Sequence, residues 1–147
     1  MAHVPPLTSS GPDRALLLRA VLALVGAFIL YTGVNVALGG MATLGLQGSR
    51  DFFTVTDVGA FRAQDSHIRF FGGLWLAVGL VFAAGAARPH ALRATLMFCC
   101  GLIFVGGLAR FSALQPEVMF GPQLLGSVAA ELIGMPLLAL WLRALRA

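Results

Sequence analysis

The chain has 147 residues, 59% of them hydrophobic and 11% charged, with a mean hydropathy of +0.89, whereas an ordinary soluble domain carries about 25% charged residues. A chain this poor in polar groups cannot cover itself in water, so lipid or partner protein must solvate its surface. Its net charge of +4 comes from ten arginines and no lysine against six acids; the charges are scattered, with no basic stripe and no interleaved aromatics, which argues against nucleic-acid binding.

In chain order, residues 1–13 hold Pro5, Pro6, Pro12 and the pair Ser9 and Ser10, a composition that offers no core and reads as a flexible cytoplasmic tail. The first apolar span, about 16–38, is long enough to cross roughly 30 Å of hydrocarbon and is closed by Gly39 and Gly40. The apolar stretch from Ala20 to Leu38 exceeds the roughly 7 to 15 residues of a secretory leader core, so a membrane span is expected there rather than a cleaved signal. Residues 39–65 mix Phe52, Phe53, Val55, Val58 and Phe61 with Arg50, Asp51, Asp57 and Arg62, the composition of a partly helical segment lying at the bilayer surface. The second span, about 66–87, stops at Arg88 and Pro89. The third, about 91–114, stops at Gln115 and Pro116. The fourth, about 122–142, starts at Pro122, which suits a first helical position, and ends before Arg143 and Arg146. Short connections predict antiparallel neighbours, so the expected fold is an all-α membrane protein of four transmembrane helices, an up-down-up-down bundle with an interfacial segment between helices 1 and 2.

Arginine asymmetry sets the expected orientation. One side carries Arg14, Arg19, Arg88, Arg93, Arg143 and Arg146. The other carries Arg50, Arg62, Arg69 and Arg110 together with Asp51, Asp57, Asp65 and Glu117. Basic residues at span ends are retained in the cytoplasm, so both termini are expected there, in a bacterial inner membrane. Glycines inside the spans, such as Gly72, Gly73, Gly79, Gly101, Gly106 and Gly107, read as close-packing positions.

The polar residues inside the spans are the candidate site: Asn35, Arg69, Arg110 and Glu131. A charge near the bilayer centre costs on the order of 3 kcal/mol and needs a partner or water. Glu131 follows Gly121 by ten residues, about 15 Å into the membrane. Helical side chains lean toward their own N-terminus, which brings Arg110 on the outward-running third span and Glu131 on the inward-running fourth span to one level. Asn35 joins them as a plausible third member, while Arg69 leans toward the outer interface, a fourth member that could equally extend to the headgroups. Pro136 removes the hydrogen bond that the carbonyl of Leu132 would accept, so a kink beside Glu131 is expected. Such a constellation is either a structural ion pair or a site handling a ligand, lipid or proton.

His67 and Asp65, at the outer end of the second span, read as solvated interfacial groups, and His90 as a residue facing lipid phosphates; no metal site is expected from isolated histidines. Trp75 reads as packing and Trp141 as part of an interfacial aromatic belt. Cys99 and Cys100, adjacent in an apolar run, read as small buried hydrophobes. No nucleophile elbow, phosphate loop or haem-ligand pair occurs, so no catalytic residue and no cofactor are assigned.

The run Asp65-Ser66-His67-Ile68-Arg69-Phe70-Phe71-Gly72-Gly73, Arg110 late in the third span, and Gly121-Pro122 followed by Glu131 resemble a family of small bacterial membrane proteins catalogued as domain of unknown function 4345. The resemblance covers about residues 16–143. It implies four helices and a polar Arg/Arg/Glu set, and it implies no activity. Where the family often has Asn, this chain has Asp65.

Three functions are consistent with these residues, the last in order being a membrane enzyme with Glu131 as its acid or base. The leading expectation is a non-enzymatic accessory or scaffold subunit of a larger inner-membrane complex, in contact with lipids and partner subunits. The alternative is a binder or carrier of a small amphiphile (lipid, quinone or isoprenoid) in a polar cavity formed by Asn35, Arg69, Arg110 and Glu131.

Overall fold

The computed structural model describes residues 12–43 and 54–145, and every regular element among them is helical. Helix α1 (Pro12–Gly39) runs into a 3-10 turn (Gly40–Thr43). Helix α2 spans Val58–Ala87. Helix α3 (Arg93–Ala109) continues into a second 3-10 turn (Arg110–Ala113), and the short α4 (Pro116–Met119) follows. Helix α5 (Leu125–Ala129) passes through a π-helical turn (Ala130–Gly134) into α6 (Met135–Arg143). Four stretches are long and apolar enough to cross a membrane: Asp13–Thr43, Val58–Ala87, Arg93–Ala113 and Leu125–Arg143. The chain is thus a multi-pass membrane protein.

The amino-terminal tail up to Gly11 and the residues Arg50, Asp51, Phe52, Phe53 and Arg146 lie outside the described residues. The described parts of the 39–65 connection are helical at both ends, because α1 runs on through the 3-10 turn and α2 begins at Val58. At 1.5 Å per residue the 30 residues of α2 measure about 45 Å, roughly 15 Å more than a bilayer core, so its first turns, with Arg62 and Asp65, extend past the hydrocarbon. The fourth span differs from expectation at its start. Pro122 occupies a turn, with Leu124 and Leu125 N–H both donating to the Gly121 carbonyl, and the regular helix begins at Leu125.

The chain divides into two compact units, one ending at Ala87 and the other beginning at Arg88. In the first, α1 and α2 form an antiparallel hairpin whose seam is made by glycines. A Cβ on Gly26 would lie 2.8 Å from the backbone nitrogen of Ala83, one on Gly33 2.7 Å from that of Leu76, and one on Gly79 2.8 Å from that of Leu30; one on Gly72 would overlap the backbone of Ala37. The four contacts keep a single antiparallel register, 26 with 83, 30 with 79, 33 with 76 and 37 with 72. Gly26 and Gly33 are seven apart, as are Gly72 and Gly79, which is the heptad spacing that keeps one face of a helix against its partner. In lipid, where apolar surface gains nothing by leaving the solvent, such backbone-to-backbone approach is the main source of helix association. A polar tie accompanies it: the Trp75 indole donates to Thr32 Oγ1 at 2.9 Å, and Thr32 in turn donates to the carbonyls of Phe28 and Ile29.

In the second unit α3 runs antiparallel to α5 and α6. Leu96, Cys100, Ile103 and Gly107 recur at alternating steps of four and three along the buried stripe of α3, and Val128, Met135, Leu138 and Leu142 are buried on the returning segment. At one end Arg93 Nη1 donates to the Leu145 carbonyl at 2.7 Å, pinning the end of α6 to the start of α3. At the other end Arg110 meets Glu131. Cys99 and Cys100 are buried, free thiols.

Candidate functional site

Among the described residues the charged candidate residues fall into two clusters, one in each unit. In the second unit Gly107, near the end of α3, and Arg110, at the start of the 3-10 turn that continues it, lie one turn apart. The missing side chain at 107 opens room for Glu131, since a Cβ there would stand 2.8 Å from Glu131 Cβ and 2.9 Å from Leu132 Cδ2. Into that gap Glu131 projects its carboxylate, and Arg110 grips it with two parallel hydrogen bonds of 2.7 Å, Nε to Oε2 and Nη2 to Oε1. This fork-to-fork arrangement is the strong geometry for an arginine and a carboxylate. Glu131 is the better covered partner, its side chain 14% accessible against 38% for Arg110.

The backbone beneath Glu131 is a π-helical turn. The N–H of Met135 donates to the carbonyl of Ala130, five residues back, where an α-helix would reach four. The proline at 136 has no N–H, so the position that would bond Glu131 in the wider register supplies no donor. The kink expected at Pro136 thus takes the form of a widened turn, a distortion frequent where helices carry functional side chains.

In the first unit Arg69 and Asp65 terminate α1. Gly40 adopts φ +60°, the left-handed conformation that commonly follows a helix and that glycine alone enters freely. Around that glycine Arg69 donates through Nη1 to the Leu38 carbonyl and through Nε to Asp65 Oδ2 at 2.6 Å, while Asp65 Oδ1 accepts the Met41 N–H at 2.8 Å. The guanidinium therefore satisfies a carbonyl that the helix end leaves orphaned, and the carboxylate takes an N–H of the turn beyond it. Thr43 Oγ1 closes the turn by donating to the Asn35 carbonyl at 2.9 Å. The Asn35 side chain is the exception: its Oδ1 is buried with no hydrogen-bond partner among the described residues. It borders a groove of about 330 Å³ along α1 lined by Leu30, Tyr31, Val34 and Asn35.

The structure thus brings Arg110 to Glu131 and Arg69 to the end of α1, where Asn35 contributes its carbonyl. Three participants were not assigned to the site from the sequence. Asp65 precedes Arg69 by four residues, the acid-before-base spacing that pairs on a helix face. Gly40 is the residue just past the helix end, and Gly107 is the small residue one turn before an in-span arginine. Among the described residues no group of three metal-ligating side chains occurs.

A family model described as a domain of unknown function, DUF4345, matches residues 17–142. No curated protein and no solved structure matches the chain. The matched stretch includes both clusters, from the glycine seam of the first hairpin to the Arg110 and Glu131 pair of the second, and on that extent the chain belongs to the DUF4345 family.

Proposed function

We propose that this protein is a non-catalytic membrane subunit that works by contact, a small accessory or scaffold component of a larger assembly in a bacterial inner membrane. The observation that carries the reading is the bidentate closure of Arg110 on Glu131. An acid or base used in catalysis must reach a reacting group, and this carboxylate has both oxygens engaged. What the helices present outward is apolar: Leu24, Phe28, Leu38, Phe70, Phe98, Leu137 and Leu140 are each more than half exposed, a surface suited to lipid and to other membrane helices. Extraction of the full chain in mild detergent followed by native mass spectrometry tests the reading. The expected result is recovery in a larger assembly of fixed stoichiometry. Recovery as the bare chain, after gentle extraction under several detergents, would defeat it.

A second reading rests on Asn35. A buried amide oxygen without a donor costs roughly 1–3 kcal/mol, and a small amphiphile seated in the adjoining groove with a hydroxyl or N–H as its head would relieve that cost. One stoichiometric amphiphile retained by the native chain and lost from the Asn35→Leu variant would favour this reading over the first.

A further inference from the structure

The second unit is electrically lopsided along its length. Its acids, Glu117 and Glu131, belong to the half that contains α4 and the π-helical turn. The opposite end holds Arg88, His90, Arg93 and Arg143. Arg93 and Arg110 are 17 residues apart, so about 25 Å of helix separates the cationic end from the ion pair, more than two Debye lengths at physiological salt.

The cationic end is structurally defined. The connection from Arg88 to Leu92 is a tight turn closed by Leu92 N–H to the Arg88 carbonyl at 3.1 Å and Arg93 N–H to the His90 carbonyl at 3.4 Å. Pro89 is buried in it, while Arg88 and His90 are exposed. Arg93 spends its guanidinium on the Leu145 carbonyl, which holds this turn against the last turn of α6. Arg143 stands exposed in that last turn. Three exposed donors, two of them permanently charged, therefore flank a junction at the end of two membrane spans. Neither Arg88 nor Arg143 has an acidic partner among the described residues. Trp141, half-buried two residues before Arg143, is the amphipathic ring that favours the headgroup level. Arginine forks match phosphate oxygens, and basic pockets between helix ends are the usual seats of anionic headgroups.

We propose that Arg88, His90 and Arg143 form a seat for the phosphate of an anionic phospholipid, at the junction held by Arg93 and Leu145. The inference stands apart from the accessory-subunit reading, since it concerns a lipid and not a protein partner.

The test uses the full chain reconstituted in phosphatidylcholine, with spin-labelled phosphatidylglycerol and spin-labelled phosphatidylcholine as probes of the protein-bound lipid fraction. The wild type should prefer the anionic probe. Arg88→Gln with Arg143→Gln should reduce that preference at least about fivefold, one interfacial arginine being worth roughly that factor. Both side chains are exposed and make no hydrogen bond or ion pair among the described residues, so the double variant should fold. Arg62→Gln, which removes an exposed cation elsewhere, should leave the preference unchanged. An equal loss from Arg62→Gln would overturn the seat and leave only diffuse charge. Inorganic phosphate at matched ionic strength should not displace the anionic probe; displacement would overturn the lipid assignment and make the junction a free-anion site.

Discussion

Glu131 and Arg110 use each other up, and that mutual dependence sets what substitution does. Removing one partner strands the other in a low-dielectric setting, whereas removing both leaves only a shape to be refilled. Glu131→Gln or Arg110→Met alone should lower stability by about 2–3 kcal/mol, below the range for fully buried pairs because Arg110 is 38% accessible. Glu131→Leu combined with Arg110→Met should cost distinctly less than the two single changes added together. Reversible unfolding in mixed detergent micelles measures all three, and strict additivity would show that the two hydrogen bonds carry no coupling. The pairing itself was legible from the sequence, because in-span charges are few and helical side chains lean in a known direction. The roles of Asp65 and Arg69 were not. A helix end capped from 24 and 31 residues downstream leaves no local pattern in α1, and Asp65 reads as solvated because its acceptor role depends on the path of the chain through Gly40 and Met41.

At the scale of elements, the hairpin of α1 and α2 rests on where side chains are missing. Gly72→Ala places a methyl into the backbone of Ala37 and should destabilise the first unit by roughly 1–3 kcal/mol. Gly73→Ala, one residue on, meets nothing within 4 Å and should be neutral or stabilising by up to about 1 kcal/mol through helix propensity. Gly40→Ala should be damaging for a second reason, since its φ of +60° disfavours any side chain and the added methyl would collide with Asp65. Thermal unfolding of the three variants in one detergent ranks them, and a Gly73→Ala effect as large as that of Gly72→Ala would disprove the register. The small residues could be read from the sequence as packing positions, but their pairing could not, because adjacent glycines at 72 and 73 look identical until the partner helix selects one face. The start of the fourth span was misjudged for a related reason: Pro122 fits a first helical turn, yet the carbonyl of Gly121 takes two donors there and delays the regular helix to Leu125.

For the whole molecule, hydropathy alone made the four spans visible, since a continuous apolar run of 20 residues has no other common use. What hydropathy leaves open is direction. A single crossing by α2 would put positions 57 and 88 on opposite faces, and the arginine asymmetry predicts that 88 faces the cytoplasm. A membrane-impermeant maleimide applied to whole cells should therefore label Asp57→Cys and spare Arg88→Cys. The native Cys99 and Cys100 are buried within the third span and should give no background. Labelling of both positions from outside would refute the single crossing.

The widened turn at Ala130–Gly134 has a consequence for how this sequence tolerates change in length. A π-helical turn is an α-helix that has accepted one residue too many. Deleting Ile133, which is 61% exposed and whose side chain is therefore dispensable to the core, would return the Met135 N–H to α-helical register on the Ala130 carbonyl, with Pro136 still leaving the Glu131 carbonyl without a donor. The same deletion would turn everything before it by about 100° relative to Met135, Leu138 and Leu142, carrying Glu131 away from the notch at Gly107. Shortening by one residue here should thus remove the widened turn and cost the ion pair, and relatives that differ by one residue in this stretch should lack the Arg110 and Glu131 pair together.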